Sequence, residues 1–192
     1  MGFYYWYSTI TGHFKKSNIE KWFRGIGKET LKMLGIKKGQ NLLDFGAGMG
    51  YYSLLAAQIS QTGKVYAIDR DRSCLKNIKK IAHKEGIKNI EVINAQGEIF
   101  LPFKDGVIDV VLLYDVLHSH YFTPNKRIKL LKEIYRISKH EGLISVYPKH
   151  MDLEEIKKDM KMANFCLVEE LALTVIHDNS LIKDRVLNFK KY

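Results

Sequence analysis

The chain has 192 residues, 46% of them hydrophobic and 27% charged, and a formal net charge of +10. That length predicts one domain able to bury a full core, and no apolar run is long enough for a membrane-spanning helix. The positive balance admits a nucleic-acid partner, but Lys76, Lys79, Lys80, Lys84 and Lys88 on one predicted helix, and Lys126, Arg127, Lys129, Lys132, Arg136 and Lys139 on another, read as solvated faces rather than one groove.

Residues 1–38 read as an aromatic, helical extension ahead of a main domain over 39–192. Phe3, Tyr4, Tyr5, Trp6, Tyr7 and Phe14 crowd its start. Ile19, Trp22, Phe23 and Ile26 recur at helical spacing, and Leu31 and Leu34 continue the apolar face. Packing on the domain accounts for Trp22 and Phe23, whereas Phe3 to Phe14 is expected to form a lid over a ligand. The N-terminus lacks the basic region and cleavage site of a signal peptide. Gly2 suggests myristoylation, but Trp6 stands where Ser or Thr is needed.

Asn41 to Phe45 is predicted as the first strand. The loop Asp44-x-Gly46-x-Gly48-x-Gly50 follows it, then a helix from Tyr51 to about Gln61 that Thr62-Gly63 ends. Strand, glycine loop and helix in this order turn backbone N–H groups and a helix N-terminus toward a ligand. The spacing is not the dinucleotide fingerprint, because Tyr51 occupies the third glycine position, and it is not a P-loop, because no Gly-Lys-Ser/Thr follows. The second strand, Lys64 to Ile68, also ends on a carboxylate. Asp69 stands where an acid accepts hydrogen bonds from ribose hydroxyls; capping the next helix is the alternative, and Asp71 serves that equally.

That next helix starts near Asp71, carries Leu75, Ile78 and Ala82 on one face, and stops at Gly86. Ile90 to Ile93 is the third strand, followed by a loop from Asn94 to Asp105. Val107 to Leu113 is almost wholly apolar and therefore predicted central, covered on both faces. A helix over Asn125 to Ser138 is expected to turn Ile128, Leu131, Ile134 and Tyr135 inward. Leu143 to Tyr147 is the fifth strand, and Asp152 with Glu155 opens a helix over Leu153 to Ala163. Phe165 to Thr174 and Arg185 to Lys190 read as two closing strands joined by Ile176 to Asp184. Alternating strands and helices predict an α/β doubly wound parallel sheet, and the last two strands an antiparallel hairpin.

The glycine loop resembles the first motif of the class I S-adenosylmethionine (SAM) dependent methyltransferases. Asp105 to His118 and Leu131 to Gly142 are similar to the corresponding parts of the ubiquinone/menaquinone-biosynthesis-like group (methyltransferase types 11, 25 and 31). The resemblance covers about Gly39 to Tyr147; that group usually has Leu-Lys-Pro-Gly-Gly where this chain has Ser138-Lys139-His140-Glu141-Gly142. It implies a Rossmann-like sheet of seven strands in the order 3-2-1-4-5-7-6, with strand 7 antiparallel and helices on both faces. It also implies SAM as cofactor. Asp44, Gly46, Ala47 and Gly48 would line its methionine and ribose portion, Asp69 would hold the ribose and Arg70 would flank the adenine. Gln96 or Glu98 would replace the Asp usual after the third strand, Tyr51 or Tyr52 would close over the cofactor, and Gly50 and Tyr114 complete the cofactor-binding set.

Methyl transfer from a sulfonium asks mainly for in-line placement of the acceptor. A general base is needed only where the acceptor must lose a proton, and Asp115, His118 and His120 stand in the loop beside the methyl group; a packing role is the alternative for His118. The loop lacks the Asn/Asp-Pro-Pro-Tyr/Phe tetrapeptide used on amino groups of bases and glutamine. The expected activity is therefore transfer to a small-molecule acceptor, the alternatives being an RNA or protein methyltransferase or a SAM-binding protein without transferase activity. Cys74 and Cys166 fit no metal spacing, are not where an arsenite methyltransferase needs thiols, and suit a reducing cytoplasm. No metal site is expected.

Overall fold

The computed structural model describes residues 16–95 and 99–192. The expected lid, Phe3 to Phe14, and the adenine-side candidates Gln96 and Glu98 lie outside the described residues.

Seven strands form one sheet in the order β3-β2-β1-β4-β5-β7-β6. In chain order they are β1 (Leu42–Phe45), β2 (Val65–Asp69), β3 (Ile90–Asn94), β4 (Ile108–Tyr114), β5 (Ser138–Tyr147), β6 (Phe165–His177) and β7 (Ser180–Lys191). The first five run parallel, and β7 lies antiparallel to both β5 and β6. The strand order expected from the resemblance is the observed one. It reverses between β1 and β4, and the crevice at such a reversal is where open α/β sheets take ligands.

Period-two alternation divides the sheet residues between two cores. Leu43, Phe45, Val111 and Leu113 face α5 (Pro124–Ile137) and α6 (Leu153–Met162). Leu42, Val110, Leu112 and Tyr114 face the opposite layer. That layer holds α1 (Lys16–Lys21), a π turn (Trp22–Ile26), α2 (Gly27–Met33), α3 (Tyr51–Ser60) and α4 (Arg72–Lys84). Burial on both faces is why β1 and β4 read as nearly unbroken apolar runs.

The N-terminal helical stretch packs as its apolar spacing predicts. Trp22 is wholly buried and its indole donates to the Tyr51 carbonyl at 3.0 Å, while Thr30 Oγ1 donates to the Thr174 carbonyl at 2.7 Å. Asp71 caps α4 by accepting from Ser73 N at 2.7 Å. Asp152 caps α6 the same way, accepting from Glu154 N and Glu155 N at 2.9 and 3.0 Å.

Two expectations need correction. Ile128 is only half-buried, while Tyr135 packs on the core from its edge against Phe165; the fully buried face of α5 is Leu130, Leu131, Ile134 and Ile137 together with Arg127. Arg127, expected on a solvated face, joins the buried face because Asp159 and Glu155 of α6 pair with its guanidinium. The span Ile176 to Asp184 is not a loop: β6 and β7 run through it and meet at Asp178-Asn179, with φ of 46° and 60°. Two consecutive left-handed residues make the tight turn whose twist matches paired strands, and Asp and Asn tolerate it. Among the described residues, no helix is long and apolar enough to cross a membrane.

Candidate active site at the carboxyl ends of the strands

The glycine loop leaves β1 and turns at once. Gly46, Gly48 and Gly50 all have positive φ, and Gly50 stands immediately before α3. Gly46 is required twice over. Its φ is +81°, and a Cβ there would meet Val116 Cγ2 at 2.7 Å, so the loop packs directly on the chain leaving β4. Gly46 N and Ala47 N donate to the Ile68 carbonyl at 2.8 and 2.9 Å, tying the loop to β2.

Asp69 ends β2 and joins these pieces. Its Oδ2 accepts from Gly48 N at 2.7 Å and its Oδ1 from Asp71 N at 2.8 Å. Each carboxylate oxygen can still accept a second bond. Asn94, at the end of β3, closes the next gap: its Nδ2 donates to the carbonyls of Asp69 and Arg70, both at 3.1 Å.

Asp44 is 2% exposed and accepts a hydrogen bond from Ser53 Oγ on α3. Burial pushes its carboxyl up to about 6 and neighbouring Asp69 adds to the rise, while the Ser53 bond opposes it. Such a carboxyl favours a cationic neighbour over an empty one, because a nearby positive charge would restore its ionised form.

A cavity of about 530 Å³ opens in front of the loop. Of the residues singled out from sequence, Gly46, Gly48, Asp69, Arg70 and Asp115 line it. Asp44 and Tyr52 are buried behind the wall, with Ala47, Gly50 and Tyr114 also off it. Tyr52 is committed elsewhere: its hydroxyl donates to the Ile176 carbonyl at 3.1 Å and accepts from Ile176 N at 3.0 Å. The Tyr114 hydroxyl shares a 3.0 Å hydrogen bond with Ser145 Oγ. Tyr121 and Phe122, which had no sequence signal, and Lys126, read from sequence as part of a solvated face, form part of the wall. The Arg70 guanidinium stands 4.6 Å from the Tyr121 ring centroid, a cation–π contact at the cavity's edge.

On the other side of the reversal, Asp115 follows β4 in the left-handed region, φ 52°, and its N–H donates to the Tyr147 carbonyl at 2.9 Å. Around its carboxylate stand three histidines. His118 Nε2 is 4.0 Å from Oδ1, His150 Nδ1 is 2.7 Å from Oδ1, and His177 Nδ1 is 3.3 Å from Oδ2. His120 stacks near His118 with ring centroids 5.9 Å apart. Burial holds the His118 imidazole below its ordinary value against the pull of Asp115, and His150 and His120 lower it further. A neutral imidazole is the form able to take up a proton. Sequence reasoning found Asp115, His118 and His120 by their common loop; it missed His150 and His177, which lie on other elements and carry no local signal.

The sequence matches the family described as "Methyltransferase domain" over residues 36–189. Demethylmenaquinone methyltransferase of Anoxybacillus flavithermus is 26% identical over 144 residues, 72% of this chain and 58% of that one. The Listeria welshimeri enzyme of the same name is 29% identical over 119 residues, 62% of this chain and 48% of that one. The chain thus spans between about half and three fifths of these curated relatives. Among solved structures, a SAM dependent methyltransferase from Aquifex aeolicus superposes with a TM-score of 0.69 at 21% identity, over 91% of this chain and 96% of that one.

Proposed function

The chain belongs to the methyltransferase-domain family, and on that premise we propose that it transfers a methyl group from SAM to a small-molecule acceptor. The observation that carries this reading is the pair of acids Asp44, near the end of β1, and Asp69, at the end of β2, on either side of the glycine loop that opens onto the reversal between β1 and β4. When bound, SAM supplies a methyl group on a cationic sulfonium and leaves as the neutral thioether, the electron pair of the broken bond staying on sulfur.

The residues have separate tasks. The loop from Gly46 to Gly50 lets backbone approach the ligand closely. Asp69 accepts from the ribose hydroxyls with the lone pairs its two backbone bonds leave over. Asp44 contributes negative potential from behind the wall, which favours a cation in a site of low dielectric. Arg70 and Tyr121 flank the adenine. The acceptor lies toward Asp115 and Val116, and His118 takes a proton from it where the nucleophile is a hydroxyl. A cavity of about 530 Å³ is in the usual range for small ligands. Free Cys74 and Cys166 accord with a cytoplasmic setting.

Calorimetric titration with S-adenosylhomocysteine tests this reading. Binding is expected in the wild-type chain, and Asp69→Ala should weaken it by about 1.5–3 kcal/mol, the scale of a hydrogen bond to a charged group. A wild-type chain that takes up none of the nucleoside overturns the proposal.

A further inference from the structure

The carboxyl ends of β4, β5 and β6 bring together three side chains that methyl transfer does not require as a set: Asp115, His150 and His177. One donor atom from each lies within 4.8 Å of the others. We propose that they bind one divalent first-row transition cation, with Zn²⁺ as the reference case, in a two-histidine, one-carboxylate site with positions left open.

The separations suit a shared ion. Metal–ligand bonds of about 2.0–2.2 Å at tetrahedral or octahedral angles set neighbouring donor atoms roughly 2.9–3.5 Å apart. Asp115 Oδ2 lies 3.3 Å from His177 Nδ1, inside that range, and Asp115 Oδ1 lies 2.7 Å from His150 Nδ1, a little short of it, so an ion would part that pair slightly. Direct hydrogen bonds give similar distances, so the surroundings decide. His177 presents Nδ1 to Asp115 while its Nε2 lies 3.4 Å from Asp178 Oδ2. A carboxylate behind the second ring nitrogen is the support that orients metal-bound histidines. Asp178 is held in the two-residue turn between β6 and β7, and Asp115 is aimed by its left-handed backbone and its bond to the Tyr147 carbonyl. His150 is about half exposed, which gives an ion a path in, whereas His177 and Asp115 are largely covered.

The donor set chooses the ion class. Two imidazoles and one carboxylate suit Zn²⁺, Co²⁺, Ni²⁺ or Fe²⁺, whereas Mg²⁺ and Ca²⁺ want oxygen. Asp115 also lines the cavity, so a cation here faces the acceptor. Its open positions would select acceptors bearing an oxygen donor next to the methylated atom. That extension rests on the transferase reading; the metal site itself does not.

The test uses the full chain, stripped with chelator and titrated with ZnCl₂ by calorimetry and with CoCl₂ by visible absorption. One equivalent should bind, with no comparable response to MgCl₂. His150→Ala and His177→Ala should each weaken binding at least about 100-fold, and the near-isosteric Asp178→Asn by about 10–100-fold, the range for outer-shell partners. His140→Ala, at a ring 81% exposed at the far end of β5, should change nothing. Asp178→Asn keeps the test decisive should a histidine variant fail to fold, as judged by circular dichroism. No stoichiometric uptake by the wild-type chain, or equal affinity in the folded variants, overturns the proposal and leaves a hydrogen-bonded Asp–His cluster. S-adenosylhomocysteine titrations on the same samples separate the two readings. Nucleoside binding without cation uptake removes only the metal site; cation uptake without nucleoside binding removes only the transferase.

Discussion

The two sides of the crevice are built differently. On the glycine-loop side the candidate residues lie within 44–69 and the loop backbone ties them: Gly46 N and Ala47 N bond the Ile68 carbonyl, Gly48 N bonds the Asp69 carboxylate, and Asp44 accepts from Ser53 of α3. On the histidine side Asp115, His118, His150 and His177 come from three separate strand ends, and side chains hold them together. Backbone geometry fixed by glycines is a local device that survives changes around it. A cluster assembled from distant loops depends on how the elements beneath it pack.

The strongest way to break this contrast is at Arg127. It is 2% exposed, its Nε donates to Asp159 Oδ2 at 2.5 Å, Glu155 also pairs with it, and its Nη1 donates to the Leu117 carbonyl at 3.3 Å. It therefore anchors the His118 loop to both α5 and α6. Arg127→Ala leaves Asp159 buried without its partner and should lower stability by about 3–5 kcal/mol, measured by urea denaturation. Below its melting range the variant should still bind S-adenosylhomocysteine with near wild-type affinity while losing activity. Equal loss of both would mean that the two sides are not separate.

Asp44 sharpens the other half. Its carboxyl is raised from 3.8 to about 6 in the folded chain. The native state therefore keeps a proton that the unfolded chain releases across that interval, and native stability falls as pH rises through the window, levelling off above about 6. Asp44→Asn removes this loss. The variant should match the wild type near pH 4 and exceed it by up to about 3 kcal/mol at pH 7.5, read from denaturation curves at both pH values. A difference independent of pH would show that the carboxyl is not held protonated in the fold.

The smallest effect belongs to Gly48. Its φ is +50° and a Cβ there meets nothing within 4 Å, unlike Gly46. Gly48→Ala should lower stability by only about 1–2 kcal/mol, the cost of an L-residue in the left-handed region. Because Gly48 lines the cavity, its larger consequence should be weaker nucleoside binding. A thermal melt beside a titration separates the two, and unaltered binding would argue that the nucleoside does not approach the loop there.

Much of the candidate site is legible in the sequence. The glycine spacing after β1, Asp44 near the end of β1 and Asp69 at the end of β2 are local patterns in short runs of sequence. The nearly continuous apolar run of β4 announced a central strand, since only burial on both faces requires it. The turn at Asp178-Asn179 was less visible, because β7 opens on the half-exposed, polar-rich run Ser180 to Arg185, which carries no apolar alternation.

The amino-acid order by itself determined the α/β alternation, the helix caps at Asp71 and Asp152, and the glycine loop with its two acidic neighbours. These rest on dihedral preference, periodicity and hydrogen bonds across a few residues. Tertiary structure alone decided that Arg127 is buried between helices, that Tyr52 and Tyr114 spend their hydroxyls on β6 and β5, and that His150 and His177 meet Asp115. Such pairings join residues remote in sequence, and what brings them together is the twist and order of the sheet on which they ride.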